Sequence, residues 1–142
     1  MSGVFVDLGA GEDATGGTEF NDTILGGTGN DLFSGLGGND SLFGGDDNDS
    51  VNAGNGDDTV YGGLGDDLLL AGAGNDRMFG EGGNDSFLAD STPGSAFAVY
   101  FDGGADDDVF RIYAGQDTII GGSGNDRVEI LSGNETLNLS SA

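Results

Sequence analysis

The chain has 142 residues, enough for one domain and too few for two sizeable cores, and sets 26 acidic residues against three basic ones. A net charge of −23 excludes nucleic acid and anionic membrane surfaces as partners, and it opposes compact folding unless something neutralises it. Having neither cysteine nor histidine, the chain lacks disulfides, the usual zinc and copper ligands and the usual nucleophile–base pairs, so oxygen, the ligand of hard cations, is what it offers in quantity.

Residues 1–7 read as an N-terminal capping strand around Val4–Val6. No basic n-region or long apolar h-region precedes it, which argues against an ordinary signal peptide. Met1-Ser2 reads as an imposed start on a fragment of a larger protein. The longest apolar run of the chain, Ala96–Phe101, falls far short of the roughly 20 residues that span a bilayer.

Residues 8–88 hold nine nonapeptide repeats without a slip. Their sixth positions are Asp13, Asp22, Asp31, Asp40, Asp49, Asp58, Asp67, Asp76 and Asp85. Two residues after each stands Thr15, Ile24, Phe33, Leu42, Val51, Val60, Leu69, Met78 or Phe87. A low-complexity linker has no reason to keep an apolar residue in that register. Positions seven to nine are expected to form a strand of about three residues, with position eight turned inward. Glycines at positions one, two and four are expected to supply φ > 0 and close approach, with Asp47, Asp106 and Ala53 standing in for them. Strands this short must stack on copies of themselves, so two repeats make one coil of a solenoid.

Residues 89–102 form an irregular turn with no acid at its sixth position, one repeat plus five residues long, with Val99 at the place of the acid and a loop around Pro93. Four further repeats occupy 103–138, with acids Asp108, Asp117, Asp126 and Glu135 followed two residues on by Phe110, Ile119, Val128 and Leu137; 139–142 are a C-terminal tail. Leu137–Leu139 are expected to close that end of the stack.

The unit Gly-Gly-x-Gly-x-Asp-x-U-x, with U large and apolar, cleanest at Gly26–Ser34, resembles the RTX (repeats-in-toxin) family over roughly residues 8–138. The resemblance implies an all-β, right-handed parallel β-roll (a β-solenoid) of 18 residues per coil, with Ca²⁺ between loops of adjacent coils. It implies the thirteen sixth-position acids, Asp13 to Glu135, as side-chain ligands. Implied backbone-carbonyl ligands are Gly26, Thr28, Gly29, Gly35, Gly37, Gly44, Asp46, Gly54, Gly56, Gly62, Leu64, Gly72, Gly74, Gly82, Gly121 and Ser123. One edge would pair Asp13, Asp31, Asp49, Asp67, Asp85, Asp108 and Asp126 in succession. The other would pair Asp22, Asp40, Asp58 and Asp76, then Asp117 with Glu135, with Val99 interrupting the row. About ten ions are expected, adding about +20 to a chain of −23 and so removing the repulsion that keeps it open.

The same resemblance implies a calcium-binding module of an extracellular or cell-surface bacterial protein, exported unfolded through a type I secretion apparatus and flanked by further domains. No catalytic constellation stands in the sequence, and the chain is not expected to be an enzyme. Outward position nine carries Leu25, Phe43, Tyr61 and Phe79 at intervals of eighteen, a column that either braces the sheet or binds a glycan or a neighbouring domain. An accessory polysaccharide-binding module, or a rigid spacer in an enzyme or adhesin, is therefore the alternative.

Overall fold

The computed structural model describes residues 2–89, 97–113 and 116–131, and the backbone of 138–140. The chain first forms β1 (Phe5–Ala10), β2 (Ala14–Gly16), β3 (Thr23–Thr28), β4 (Leu32–Ser34) and β5 (Ser41–Asp46). Next come β6 (Ser50–Asn55), β7 (Thr59–Leu64), β8 (Leu68–Ala73), β9 (Arg77–Gly82) and β10 (Ser86–Leu88). The last are β11 (Tyr100–Ala105), β12 (Val109–Ile112), β13 (Thr118–Ser123), β14 (Arg127–Ile130) and β15 (Asn138–Ser140). Odd-numbered strands form one eight-stranded sheet in chain order and even-numbered strands a seven-stranded one, every pairing parallel. The result is a β-solenoid.

The register steps by one coil of eighteen residues, as in Thr23↔Ser41 and Ser41↔Thr59, except at the last strand, where Thr118 pairs with Asn138 and Ile119 with Leu139 in place of the expected Leu137. Across the irregular turn the step lengthens: Arg77 pairs with Tyr100 and Ser86 with Val109. Val99 takes the sixth position there, buried, with its N–H donating to Asp117 Oδ1 at 3.0 Å. The loop around Pro93 lies outside the described residues, as do Glu135 and Leu137.

Most strands are twice as long as the nine-residue period suggests. They start at position seven and run on through positions one to three of the next repeat; β12 and β14 end at position one, and β2, β4, β10 and β15 stop at three residues. The alternation of an extended strand therefore turns two positions inward, eight and one. Position eight supplies the apolar seam between the sheets: Ile24, Leu42, Val60, Met78, Phe101 and Ile119 from one, Phe33, Val51, Leu69, Phe87 and Phe110 from the other. Each is buried, a contribution of roughly 1.5–3 kcal/mol apiece. Around the irregular turn the seam is aromatic: Phe87 and Phe110 stack at 4.7 Å, with Phe101 edge-on at 5.7 and 6.0 Å.

Position one has a different reason for being small. Positive φ falls at positions two and four, as at Gly27 (112°) and Gly29 (108°), with Asp47 (76°) and Asp106 (75°) replacing glycine at position four. No described residue at position one, Ala53 included, has positive φ, which corrects the expectation from sequence. Glycine is needed at position one for space. A methyl built on Gly26 would stand 2.7 Å from Asp31 Oδ2 and closer still to the Gly44 carbonyl oxygen.

Candidate metal centre

Each sixth-position aspartate ends a glycine turn immediately ahead of the next strand, and its two oxygens have separate fates. Oδ1 accepts the backbone N–H of the aspartate one coil back: Asp31 to Asp49 at 2.8 Å, Asp49 to Asp67 at 2.7 Å, Asp67 to Asp85 at 2.9 Å, Asp85 to Asp108 at 2.8 Å. Asp13 begins that row and Asp126 ends it. On the other edge Asp22 donates to Asp40 and Asp40 to Asp58 at 2.8 Å, and Asp58 to Asp76 at 3.0 Å. The structure thus brings the aspartates together in two rows, and Val99 stands in the second.

This pin holds Oδ2 in the glycine turn of its own repeat. There Oδ2 of Asp31, Asp40, Asp49, Asp58, Asp67, Asp85 and Asp108 is buried without a hydrogen-bond donor. Opposite it stands the position-one carbonyl of the next coil. Methyls placed on Gly35, Gly44, Gly62, Gly80 and Gly103 show this convergence, meeting their own repeat's Asp Oδ2 together with the carbonyl oxygen of Ala53, Gly62, Gly80, Gly103 or Gly121. Of the implied carbonyl ligands, those of Gly35, Gly44, Gly62 and Gly121 point into such a turn. Those of Thr28, Asp46 and Gly82 already accept the position-four N–H of the preceding coil, at 2.8, 3.2 and 2.9 Å. The carbonyls of Gly54 and Gly56 press against Gly72 and Gly74 of the next coil. For Gly26, Gly29, Gly37, Leu64, Gly72, Gly74 and Ser123 the ligand role stays what the resemblance implies. The carbonyls of Gly80, Gly103 and Ala53, which the sequence reading did not name, share the register of Gly44 and Gly62 and converge with an Asp Oδ2 in the same way.

The carboxyls bear the mark of this arrangement. Burial first, and the neighbouring aspartates after it, push Asp40, Asp49 and Asp108 up to about 6, Asp67 to about 7 and Asp85 to about 8, against the backbone N–H that each accepts. Burial raises Asp58 as well. Asp22 goes the other way: burial is outweighed by the N–H of Val4 and by the N–H and hydroxyl of Thr18, which donates to Oδ2 at 3.1 Å.

A buried acceptor without a donor costs about 1–3 kcal/mol, and more when it is charged. Rows of them, with a carbonyl opposite at Asp31, Asp40, Asp49, Asp67, Asp85 and Asp108, fit a hard cation that takes six to eight oxygens in forgiving geometry; Ca²⁺ supplies the positive charge the turns lack. Among the described residues no group of three or more carboxylates gathers into a ready-made site, so backbone oxygens must complete the shell.

Sequence reasoning overlooked position five. Its Asn and Asp side chains form a second, exposed ladder in the opposite sense, accepting the N–H one coil ahead: Asn30 from Asn48 at 2.9 Å, Asn48 from Asp66 at 2.8 Å, Asp66 from Asn84 at 2.8 Å. The signal was present in the recurring Gly-Asn-Asp, where only the Asp drew a role. The position-nine column stacks on itself: Phe43 and Tyr61 lie 5.1 Å apart and 5° from parallel, Tyr61 and Phe79 4.9 Å and 11°. Arg77 adds its guanidinium over Phe79 at 5.7 Å and over Tyr100 at 5.0 Å.

Parallel coils closed by aspartate–glycine turns with inward oxygens define a β-roll of the cation-binding class. Residues 16–51, 52–87 and 102–137 match the RTX calcium-binding nonapeptide repeat, about three quarters of the chain, and the chain belongs to that family. It is a calcium-binding RTX module. None of the curated proteins matches it.

Proposed function

We propose that this chain is a calcium-triggered folding module of a secreted bacterial protein, open in the low-calcium cytosol and closed outside it after passage through a type I secretion apparatus. The observation that carries this reading is the row of buried, donorless Oδ2 atoms from Asp31 to Asp108 in a chain of net charge −23. Without cations each rung adds a desolvated carboxylate within reach of the next, and the roll opposes its own closure. With them the same rungs become cross-links, and binding free energy becomes folding free energy.

Circular dichroism tests this directly. Strand signal is expected in millimolar Ca²⁺ and a disordered spectrum in excess EGTA; equal strand content in both would sink the proposal.

The geometry lends less to the accessory polysaccharide reading. Rings stacked on one another offer edges, not the faces on which sugars stack. Arg111 and Arg127 are both tied to Glu129 at 2.8 Å and Arg77 lies over aromatic rings, so each arginine is engaged before an acidic glycan arrives. The column is read as a brace for the sheet, which suits a rigid spacer as well as a folding switch.

A further inference from the structure

The two edges of the roll share the aspartate rows but differ at the inward position-one column. On the edge that follows the odd-numbered strands, that column begins at Leu8 and then reads Gly26, Gly44, Gly62, Gly80, Gly103 and Gly121. On the edge that follows the even-numbered strands it reads Gly17, Gly35, Ala53, Ala71, Ala89, Ile112 and Ile130. Ala53, Ala71, Ala89 and Ile112 are buried in the apolar core, so their side chains do face inward.

The consequence follows from where a position-one Cβ stands. At Gly44 and Gly62 it would meet Asp49 Oδ2 and Asp67 Oδ2, with the next coil's carbonyl oxygen beside it. A methyl there fills the point on which both oxygens converge, and at Ile112 a whole side chain does so. A carboxylate beside buried methyl groups also has less polar company to share a cation with. The second edge is spoiled at its start as well, because the Thr18 N–H and hydroxyl both donate to Asp22 Oδ2. Further on it has Val99 in place of an acid. The station between Gly35, Asp40 and the Ala53 carbonyl is the one on that edge with an open turn and a donorless oxygen.

We propose that calcium loads the roll asymmetrically: the glycine edge from Asp31 to Asp108 carries the ion ladder, and the other edge is closed by apolar position-one side chains beyond Asp40. This rests on calcium being the ligand, as proposed above. The glycine edge offers a complete station at each of Asp31, Asp49, Asp67, Asp85 and Asp108, and with Asp40 the total is about six ions rather than about ten. The second edge is held instead by its apolar column, with Ile112 replacing a cation as the filler of its turn.

The test is a count of bound calcium on the whole folded chain, by equilibrium dialysis with metal analysis and by native mass spectrometry. About six ions are expected. Ala53→Gly with Ala71→Gly reopens two stations and is expected to raise the count by about two, whereas Gly44→Ala is expected to lower it by about one. Should Gly44→Ala fail to fold, the alanine-to-glycine pair and anomalous diffraction from calcium-grown crystals still decide: density is expected between rungs such as Asp49 and Asp67 and none between Asp58 and Asp76. A count near ten, unchanged by the pair, overturns the asymmetry and leaves the calcium reading standing. No calcium bound at any concentration overturns both.

Discussion

Leu36 and Glu81 sit at position two with φ of 74° and 76°, a conformation that costs a side-chain-bearing residue about 1–2 kcal/mol. Leu36 is also largely exposed, so its side chain returns little by burial. Leu36→Gly removes the strain and loses roughly 0.5–1 kcal/mol to the greater freedom of the unfolded chain. The net expectation in saturating Ca²⁺ is a gain of up to about 1 kcal/mol, a melting temperature about 3 °C higher. The reverse change marks how specific the position is. At Gly63, φ is 118° and a methyl would collide with the Gly45 carbonyl oxygen, so Gly63→Ala combines strain with overlap. Its expected cost is at least about 2 kcal/mol, read from the same melt. Equal melting temperatures for the two variants would mean that position two tolerates any residue, against the geometry of both.

Between neighbouring strands, the column of Phe43, Tyr61 and Phe79 acts as a brace in which each ring covers the next. Removing two rings, Phe43→Ser with Tyr61→Ser, deletes both of its parallel contacts. With pairs of this kind worth about 0.5–1.5 kcal/mol, the double variant is expected to lose about 2 kcal/mol in a denaturant melt. Strand content in saturating Ca²⁺ is expected to survive, since the position-eight seam is untouched; a collapse to disorder would show that the column holds the roll together. The column was legible in the sequence because Leu25, Phe43, Tyr61 and Phe79 fall one coil apart, and so were the coil length and the inward Ile24, Phe33 and Leu42. What escaped was the extension of most strands past position nine. Glycine at position one looks, in a sequence, like glycine at positions two and four, although only the latter two bend the chain. Position five escaped for a related reason: it is filled by Asn30 and Asn48 and then by Asp57 and Asp66, two residue types that serve one acceptor role through Oδ1.

Over the whole molecule, protons and calcium compete for the same oxygens. In the metal-free roll the carboxyls of Asp40, Asp49 and Asp108 are raised to about 6, Asp67 to about 7 and Asp85 to about 8, against 3.8 in the open chain, chiefly by burial. A folded-state value above the unfolded one means that the roll binds more protons than the open chain across the interval between them. The resulting stability is fully present below about 4 and is lost as pH rises through 6 to 8. In excess EGTA, strand content is therefore expected to grow as pH falls from 8 to 5 and to disappear on return to 8. The sign reverses once calcium is present, because each ligand must lose its proton before it can bind. The calcium concentration at half-folding is then expected to rise as pH falls from 8 to 6, the window in which Asp67 and Asp85 take up protons. Titrations by circular dichroism at pH 6, 7 and 8, each run with EGTA and with calcium, separate the two slopes. Parallel slopes, or a calcium midpoint indifferent to pH, would show that the buried aspartates are not where the metal binds, and that the charge of −23 is neutralised at the exposed carboxylates instead.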